Sequence, residues 1–425
     1  MITEQHRSLP NFGEEYIHFT HLSGLDVYIL PKNFPDYFIS IGVNYGSYID
    51  TVEGEVIPLG TAHFMEHMMF HTKDGGDITD KFATYGANVN AYTTNEYTAY
   101  FCYGTKSRYT ALSTLIDMML HPHFDEGIID NERRIIEQEI AMYNDDPYSN
   151  AYHLLMQGLY PTHPIRNDIA GSAESIQAVS KVLLENIHRI YYTPANMNLV
   201  LCGRFDASKI KTLLDKLLPT FASDKPFLFR PTNDSGKIAE KKSMELSLSR
   251  PILLLGYRDP INADGPDQSK RGHIGQIACN AIFSKSGDLY HMLFEQGLCG
   301  KDFTATYEWS HGCGHVLITT TSNHPIKTLE SLEIYISKLC ANPPSRDAFE
   351  RAKNVIYADT IRVFDSVEDF TMDFLEEVMS DDDFFNIPER IASITYEELC
   401  AFVYDVFSPA NYTSVLLQPK EKQEC

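Results

Sequence analysis

The stretch "SIQAVSKVLLENIHRIYYTPANMNLVLCG" (Ser175 to Gly203) reappears in outline as "RIASITYEELCAFVYDVFSPANYTSVLLQ" (Arg390 to Gln418). Pro194-Ala195-Asn196 matches Pro409-Ala410-Asn411, an offset of 215 residues. The same offset pairs Ile176 with Ile391, Val179 with Ile394, Leu184 with Leu399 and Ile187 with Phe402. Apolar residues at that spacing predict a helix, and the P-A-N turn then leads into a β-rich run, "MNLVLCG" or "YTSVLLQ". One matched tripeptide would mean little. A matched helix, turn and strand, displaced by half the chain, predicts duplication of one α/β unit.

The remaining sequence fits that frame. A chain of 425 residues is comfortable as two domains. The turn-rich, charged stretch "RPTNDSGKIAEKKS" (Arg230 to Ser243) predicts the junction, giving halves 1–230 and 231–425. The candidate strand "SMELSLSRPILLLGY" opens the second half, and "YFISIGVNYGSYI" and "AYTTNEYTAYFCYG" read as strands of the first. Strands set among longer helical segments predict an α+β fold of two homologous halves, each a mainly antiparallel sheet flanked by helices.

Composition narrows the function. With 35 basic and 58 acidic residues the net charge is −23, which argues against a nucleic-acid partner. No apolar run approaches the roughly 20 residues of a membrane span, and "MITEQHRSLPNFGEEY" has no signal-peptide pattern. Eight cysteines without a C-x-x-C pair fit reduced thiols, and the expected location is the cytoplasm.

The chemistry concentrates in "GTAHFMEHMMF" (Gly60 to Phe70). On a helix, His63 and His67 face one side about 6 Å apart along the axis, so both can reach one ion. Glu66 flanks the same site, and its reach suits a water beside the metal rather than the metal itself. This H-x-x-E-H order inverts H-E-x-x-H, and both mark zinc peptidases. His71 lies about 12 Å from His63 along the axis, too far for the same ion, and reads as structural. A further ligand is expected from "DEGIIDNERRIIEQEIAMYNDDP" (Asp125 to Pro147). There Ile128, Ile129, Ile135, Ile136, Ile140 and Tyr143 form an apolar face, with Glu132 and Glu139 in its middle and Glu137 on the solvent side. A carboxylate in an apolar stripe calls for a partner, so Glu132 and Glu139 are the candidates; helical phase does not choose between them. A second cluster, His311, Cys313 and His315 of "HGCGH", would share one side of a strand, yet it lacks a fourth ligand and its glycines predict a turn.

Taken together, "GTAHFMEHMMF", "GANVNAYTTNEYTAYF" and "ERRIIEQEIAMYNDDP" resemble the M16 metallopeptidases, the pitrilysin and insulinase family. The P-A-N repeat is similar to that family's paired halves, and the length to its M16B group, which works as dimers. "HPIRNDIAGSAESI" (His163 to Ile176) further resembles AlbF- and YfmH-like bacterial members, of which the AlbF-like chains are linked to maturation or export of bacteriocin peptides. The resemblance implies Zn2+ held by His63, His67 and Glu139, with Glu66 as general base and Glu132 as the carboxylate behind the ligands. It also implies that Asn90, Ala91, Tyr92 and Thr93 form an edge strand that takes substrate backbone. The expected activity is endopeptidase cleavage of unstructured peptides, a bacteriocin precursor or leader among them. Its rivals are a non-catalytic assembly subunit and a general peptide-scavenging oligopeptidase. The chain departs from the family in its second half, where Phe294 stands for an arginine and Gly300, or a neighbour, for a tyrosine. No H-x-x-E-H occurs at "ACNAI" (Ala278 to Ile282) either. A homologous partner chain supplying Arg and Tyr, or a homodimer, is therefore expected.

Overall fold

The computed structural model describes residues 4–73, 75–261 and 265–420. Its first sheet contains β1 (Gln5–Leu9), β2 (Glu14–Thr20), β3 (Asp26–Pro31) and β4 (Tyr37–Val43). A separate small hairpin, β5 (Thr51–Val52) and β6 (Glu55–Val56), follows. The first sheet is completed by β7 (Ala87–Thr93), β8 (Thr98–Gly104) and β9 (Met197–Gly203), in the order β1-β2-β3-β9-β4-β8-β7. The second sheet contains β10 (Lys242–Leu246), β11 (Ile252–Arg258), β12 (Thr304–Ser310), β13 (Cys313–Thr321) and β14 (Tyr412–Pro419), ordered β10-β14-β11-β13-β12.

The second order repeats the first without β1 and β2. Each sheet has one parallel pairing, β3 with β9 and β10 with β14, and is otherwise antiparallel. The helices Lys181–Tyr191 and Tyr396–Val406 and the P-A-N turns that follow them occupy matching places, so the duplication extends to whole elements.

Two compact units result, and they do not follow the 1–230 and 231–425 division along their whole length. The first takes residues up to 140, 168–229 and 361–386; the second takes 141–167, 230–360 and 387 onward. In the first unit, helix Val367–Met379 packs on β4 and β9. In the second, helix Pro147–Leu159 packs on β11 and β14. Each sheet is thus covered by a helix from the other half of the sequence.

The local chemistry explains the fit. Every residue of β4 is buried, so "YFISIGV" is apolar on both faces rather than alternating. Gly42 pairs with Asn198, and Gly256 with Thr413, the residue 215 further on. A Cβ at Gly42 would lie 2.6 Å from Met379 Sδ, and one at Gly256 would lie 2.6 Å from Leu159 Cδ1. Equivalent glycines therefore let the exchanged helices close on both sheets. Phe374 of the same helix also reaches β2, edge-on to Tyr16 at 5.1 Å.

Two expected strands are divided. "SMELSLSRPILLLGY" splits into β10 and β11 just before Ile252, where Pro251 lacks the N–H a ladder needs. "AYTTNEYTAYFCYG" splits into β7 and β8 because Thr94 Oγ1 accepts from Glu96 N and Tyr97 N and closes a turn. Seven cysteines are described and none of them forms a disulfide. Among the described residues no helix is long and apolar enough to cross a membrane.

A fragment of residues 1–230 lacks the helix that covers β4 and β9. Alone it should aggregate or melt without cooperativity, and co-expression with 231–425 should restore a soluble complex with a cooperative thermal transition. Circular dichroism melts of the two preparations check this.

Candidate metal centre

Helix Thr61–Met68 starts at Gly60, whose φ of 88° is left-handed and whose Cβ would meet Ala170 O at 2.4 Å. Only glycine fits there. The helix buries Thr61, Ala62, Phe64, Met65 and Met68 and leaves His63, Glu66 and His67 together on its half-buried face. Helix Glu126–Asp145 faces them through Glu132 and Glu139, seven residues apart and so two turns apart on one side.

Glu139 Oε2 lies 3.8 Å from His63 Nε2 and 3.5 Å from His67 Nε2. The imidazoles stand edge to face with centroids 4.7 Å apart. Ligand-capable atoms of His63, His67 and Glu139 all fall within 4.8 Å of one another, the one such grouping among the described residues. Zinc bonds of about 2.0–2.1 Å in a tetrahedron place neighbouring ligand atoms about 3.3 Å apart, so this donor set fits one zinc ion with small adjustments.

Glu132 is buried, with 6% of its surface exposed, and both its oxygens are engaged. His67 Nδ1–H donates to Oε2 at 3.1 Å, and His71 Nε2–H donates to Oε1 at 3.0 Å. Burial opposes ionisation of Glu132, but the two imidazole hydrogen bonds outweigh it and hold the carboxyl at about 2. His67 is disfavoured as a cation by burial, yet its bond to Glu132 and the nearby carboxylates raise its pKa overall. Burial and the adjacent His67 lower His63 to about 4, so its imidazole is neutral at pH 7, as a ligand must be. His63 Nδ1 is buried with no hydrogen-bond partner.

Glu66 reaches the edge strand instead. Thr93 Oγ1 donates to Glu66 Oε2 at 2.5 Å. Burial raises the Glu66 pKa above the ordinary carboxylate value, against the lowering effect of that bond. The strand β7 is the outermost of its sheet, with one backbone edge unpaired. Its alternation puts Ala91 and Thr93 on the side of helix Thr61–Met68, where Ala91 packs on the core. Asn90 and Tyr92 fall on the other side, where Tyr92 meets Tyr97 and Phe101.

Several expectations change. Ile135 and Tyr143 are 43% and 40% exposed rather than parts of an apolar face. The helix buries only the narrow stripe Ile129, Glu132, Ile136 and Ile140. Glu137, partly exposed, accepts from Gln177. Of the "HGCGH" residues, Cys313 and His315 lie in β13 and His311 lies outside it, the glycines making the expected turn. Gly312 turns there with φ 71°, and the chain folds back as the β12–β13 hairpin. The His311 carbonyl accepts from His163, Cys313 meets Ser310 and His315 meets Tyr160. Phe294 stacks on Tyr290, and Gly300 donates its N–H to Thr320, so neither supplies a cation or a hydroxyl. Sequence reading missed the Thr93–Glu66 and His71–Glu132 contacts; the first had a signal in the closeness of "NAYT" to the motif in the resemblance, the second had none.

Two family models match the chain: insulinase (peptidase family M16) over residues 36–173 and the M16 inactive domain over 179–356. The chain belongs to the M16 peptidase family. The first match contains His63, Glu66, His67, Glu132 and Glu139. YmfH of Bacillus subtilis, named as an uncharacterised zinc protease, is 27% identical over 414 residues, 94% of this chain and 95% of that protein. YmxG of the same organism, similarly named, is 31% identical over 227 residues, 52% of this chain and 53% of that one. A crystal structure of an M16-like peptidase from Alicyclobacillus acidocaldarius superposes with a TM-score of 0.91 at 27% identity, covering 97% of this chain and all of that one.

Replacing Glu139 by Gln should strip the centre of metal, with at least about a tenfold loss of affinity, whereas Glu137→Gln should leave it loaded. Metal content after dialysis of the two proteins distinguishes them.

Proposed function

We propose that this chain is a zinc-dependent metalloendopeptidase of unstructured peptides, with His63, His67 and Glu139 as ligands and Glu66 as general base. The observation that carries the proposal is the convergence of two imidazoles and a carboxylate within 4.8 Å beside a half-buried glutamate whose pKa is raised. The zinc-protease names of its relatives add support. When bound, zinc supplies the positive charge that polarises a scissile carbonyl and acidifies water. Glu66, with Oε2 held by Thr93, has Oε1 available to take a proton from attacking water and return it to the departing amine nitrogen. Extended substrate backbone would add to the open edge of β7, at Asn90 to Thr93, so flexible peptides should be preferred over folded proteins.

The substrate we propose is a bacteriocin precursor or its leader, on the resemblance of His163 to Ile176 to AlbF-like chains. The absence of arginine and tyrosine at Phe294 and Gly300 supports a dimeric chamber, with a homologous partner supplying both. The lack of a disulfide among the described cysteines supports a cytoplasmic location.

A chelator should abolish cleavage of an unstructured peptide, and zinc should restore it. Glu66→Gln should retain zinc and lose about 10²- to 10⁴-fold in kcat; unchanged cleavage would overturn the assignment. Thr93→Val removes one hydrogen bond to a charged group, worth about 1.5–3 kcal/mol, and should lower kcat about 10- to 100-fold. Steady-state assays with zinc content measured on the same samples check both.

A further inference from the structure

We propose that His71 is a positioning residue for the metal centre: it clamps Glu132 so that Glu132 fixes the His67 ring. His71 is too far along its segment to be a ligand, yet its place is tightly defined. It forms an isolated β-bridge with Asp77, and the flanking backbone is tied by Ile78 N donating to Phe70 O at 2.9 Å and Thr72 N donating to Gly76 O at 3.0 Å. From that anchored backbone its Nε2–H reaches Glu132 Oε1 at 3.0 Å. The other oxygen, Oε2, takes the Nδ1–H of His67 at 3.1 Å, which leaves the lone pair of His67 Nε2 directed toward Glu139 Oε2.

The other imidazole gives this chain its importance. His63 Nδ1 has no hydrogen-bond partner, so packing alone orients that ring. His67 is therefore the ligand whose tautomer and direction are set by hydrogen bonds, and the setting runs through a carboxylate held at both ends. Without His71, Glu132 Oε1 would be a buried acceptor with no donor. The carboxylate would turn to find one and release the His67 ring.

The inference rests on the metal reading of the site, and the test separates the two. Wild type, His71→Phe and His71→Gln are prepared as full chains. Zinc affinity is measured by competition with a chelator, and the visible spectrum of each Co2+-substituted protein is recorded. Phenylalanine fills the space without a donor, while glutamine retains an N–H near the position of Nε2. His71→Phe should bind zinc about 10- to 100-fold more weakly and shift the Co2+ bands, and His71→Gln should recover affinity and spectrum. Wild-type affinity in His71→Phe, or a glutamine variant as weak as the phenylalanine one, would overturn the role of His71 while leaving the metal site intact. A wild-type chain that holds no metal would overturn both. Should His71→Phe fail to fold, as judged by the melting of the metal-free protein, His71→Gln against wild type decides: near-equal affinity and spectrum support the clamp, and loss of either overturns it.

Discussion

The centre depends on one buried carboxylate. Glu132 sits where helix Glu126–Asp145 faces helix Thr61–Met68, and a charge in that position is tolerable only if it is paired. Both its oxygens take imidazole N–H groups, and the pairing with His67 turns that ring's other nitrogen outward. Seven residues on, the same helix face delivers Glu139 to both imidazoles. One helix thus carries both the candidate ligand Glu139 and the carboxylate that bonds the ring of the candidate ligand His67, and a spacing of two turns places both. Glu66 shares the helix of the two histidines, but its carboxylate is held by a different element, Thr93 of β7.

The duplication shows how little of a sheet's architecture needs this chemistry. Both sheets have the same five-strand order, the same parallel pair and the same P-A-N turn. At the second site, however, Ala278, Cys279 and Ile282 are buried as ordinary core. The exchanged helices belong to the common scaffold rather than to the centre, since both sheets receive one and both make room for it with a glycine, Gly42 or Gly256.

The centre was largely legible in the sequence because its signals are local and periodic. H-x-x-E-H fixes three side chains on one helix face, and helical phase singled out Glu132 and Glu139 together. Phase alone did not choose between them; in the structure Glu139 lies beside both imidazoles and Glu132 bonds His67 and His71. The 215-residue offset was legible for the same reason, since helix, turn and strand recur together. What was not legible is long-range. Nothing in Val367–Met379 or Pro147–Leu159 marks which sheet each will cover, because an apolar helix face carries no address. The exposure of Ile135 and Tyr143 was missed because periodicity identifies a helix face but not how much of it a neighbour covers. The turn at the His311–Cys313–His315 cluster was legible from its glycines, and Gly312 makes it with φ 71°.

The central claim is that His63, His67 and Glu139 hold one zinc ion. X-ray absorption at the zinc edge of the loaded full-length chain tests it most directly. The account predicts two imidazole nitrogens at about 2.0–2.1 Å together with oxygen ligands at about 2.0–2.2 Å, and no sulfur. Sulfur scattering at about 2.3 Å, or a site with three imidazoles, would contradict it.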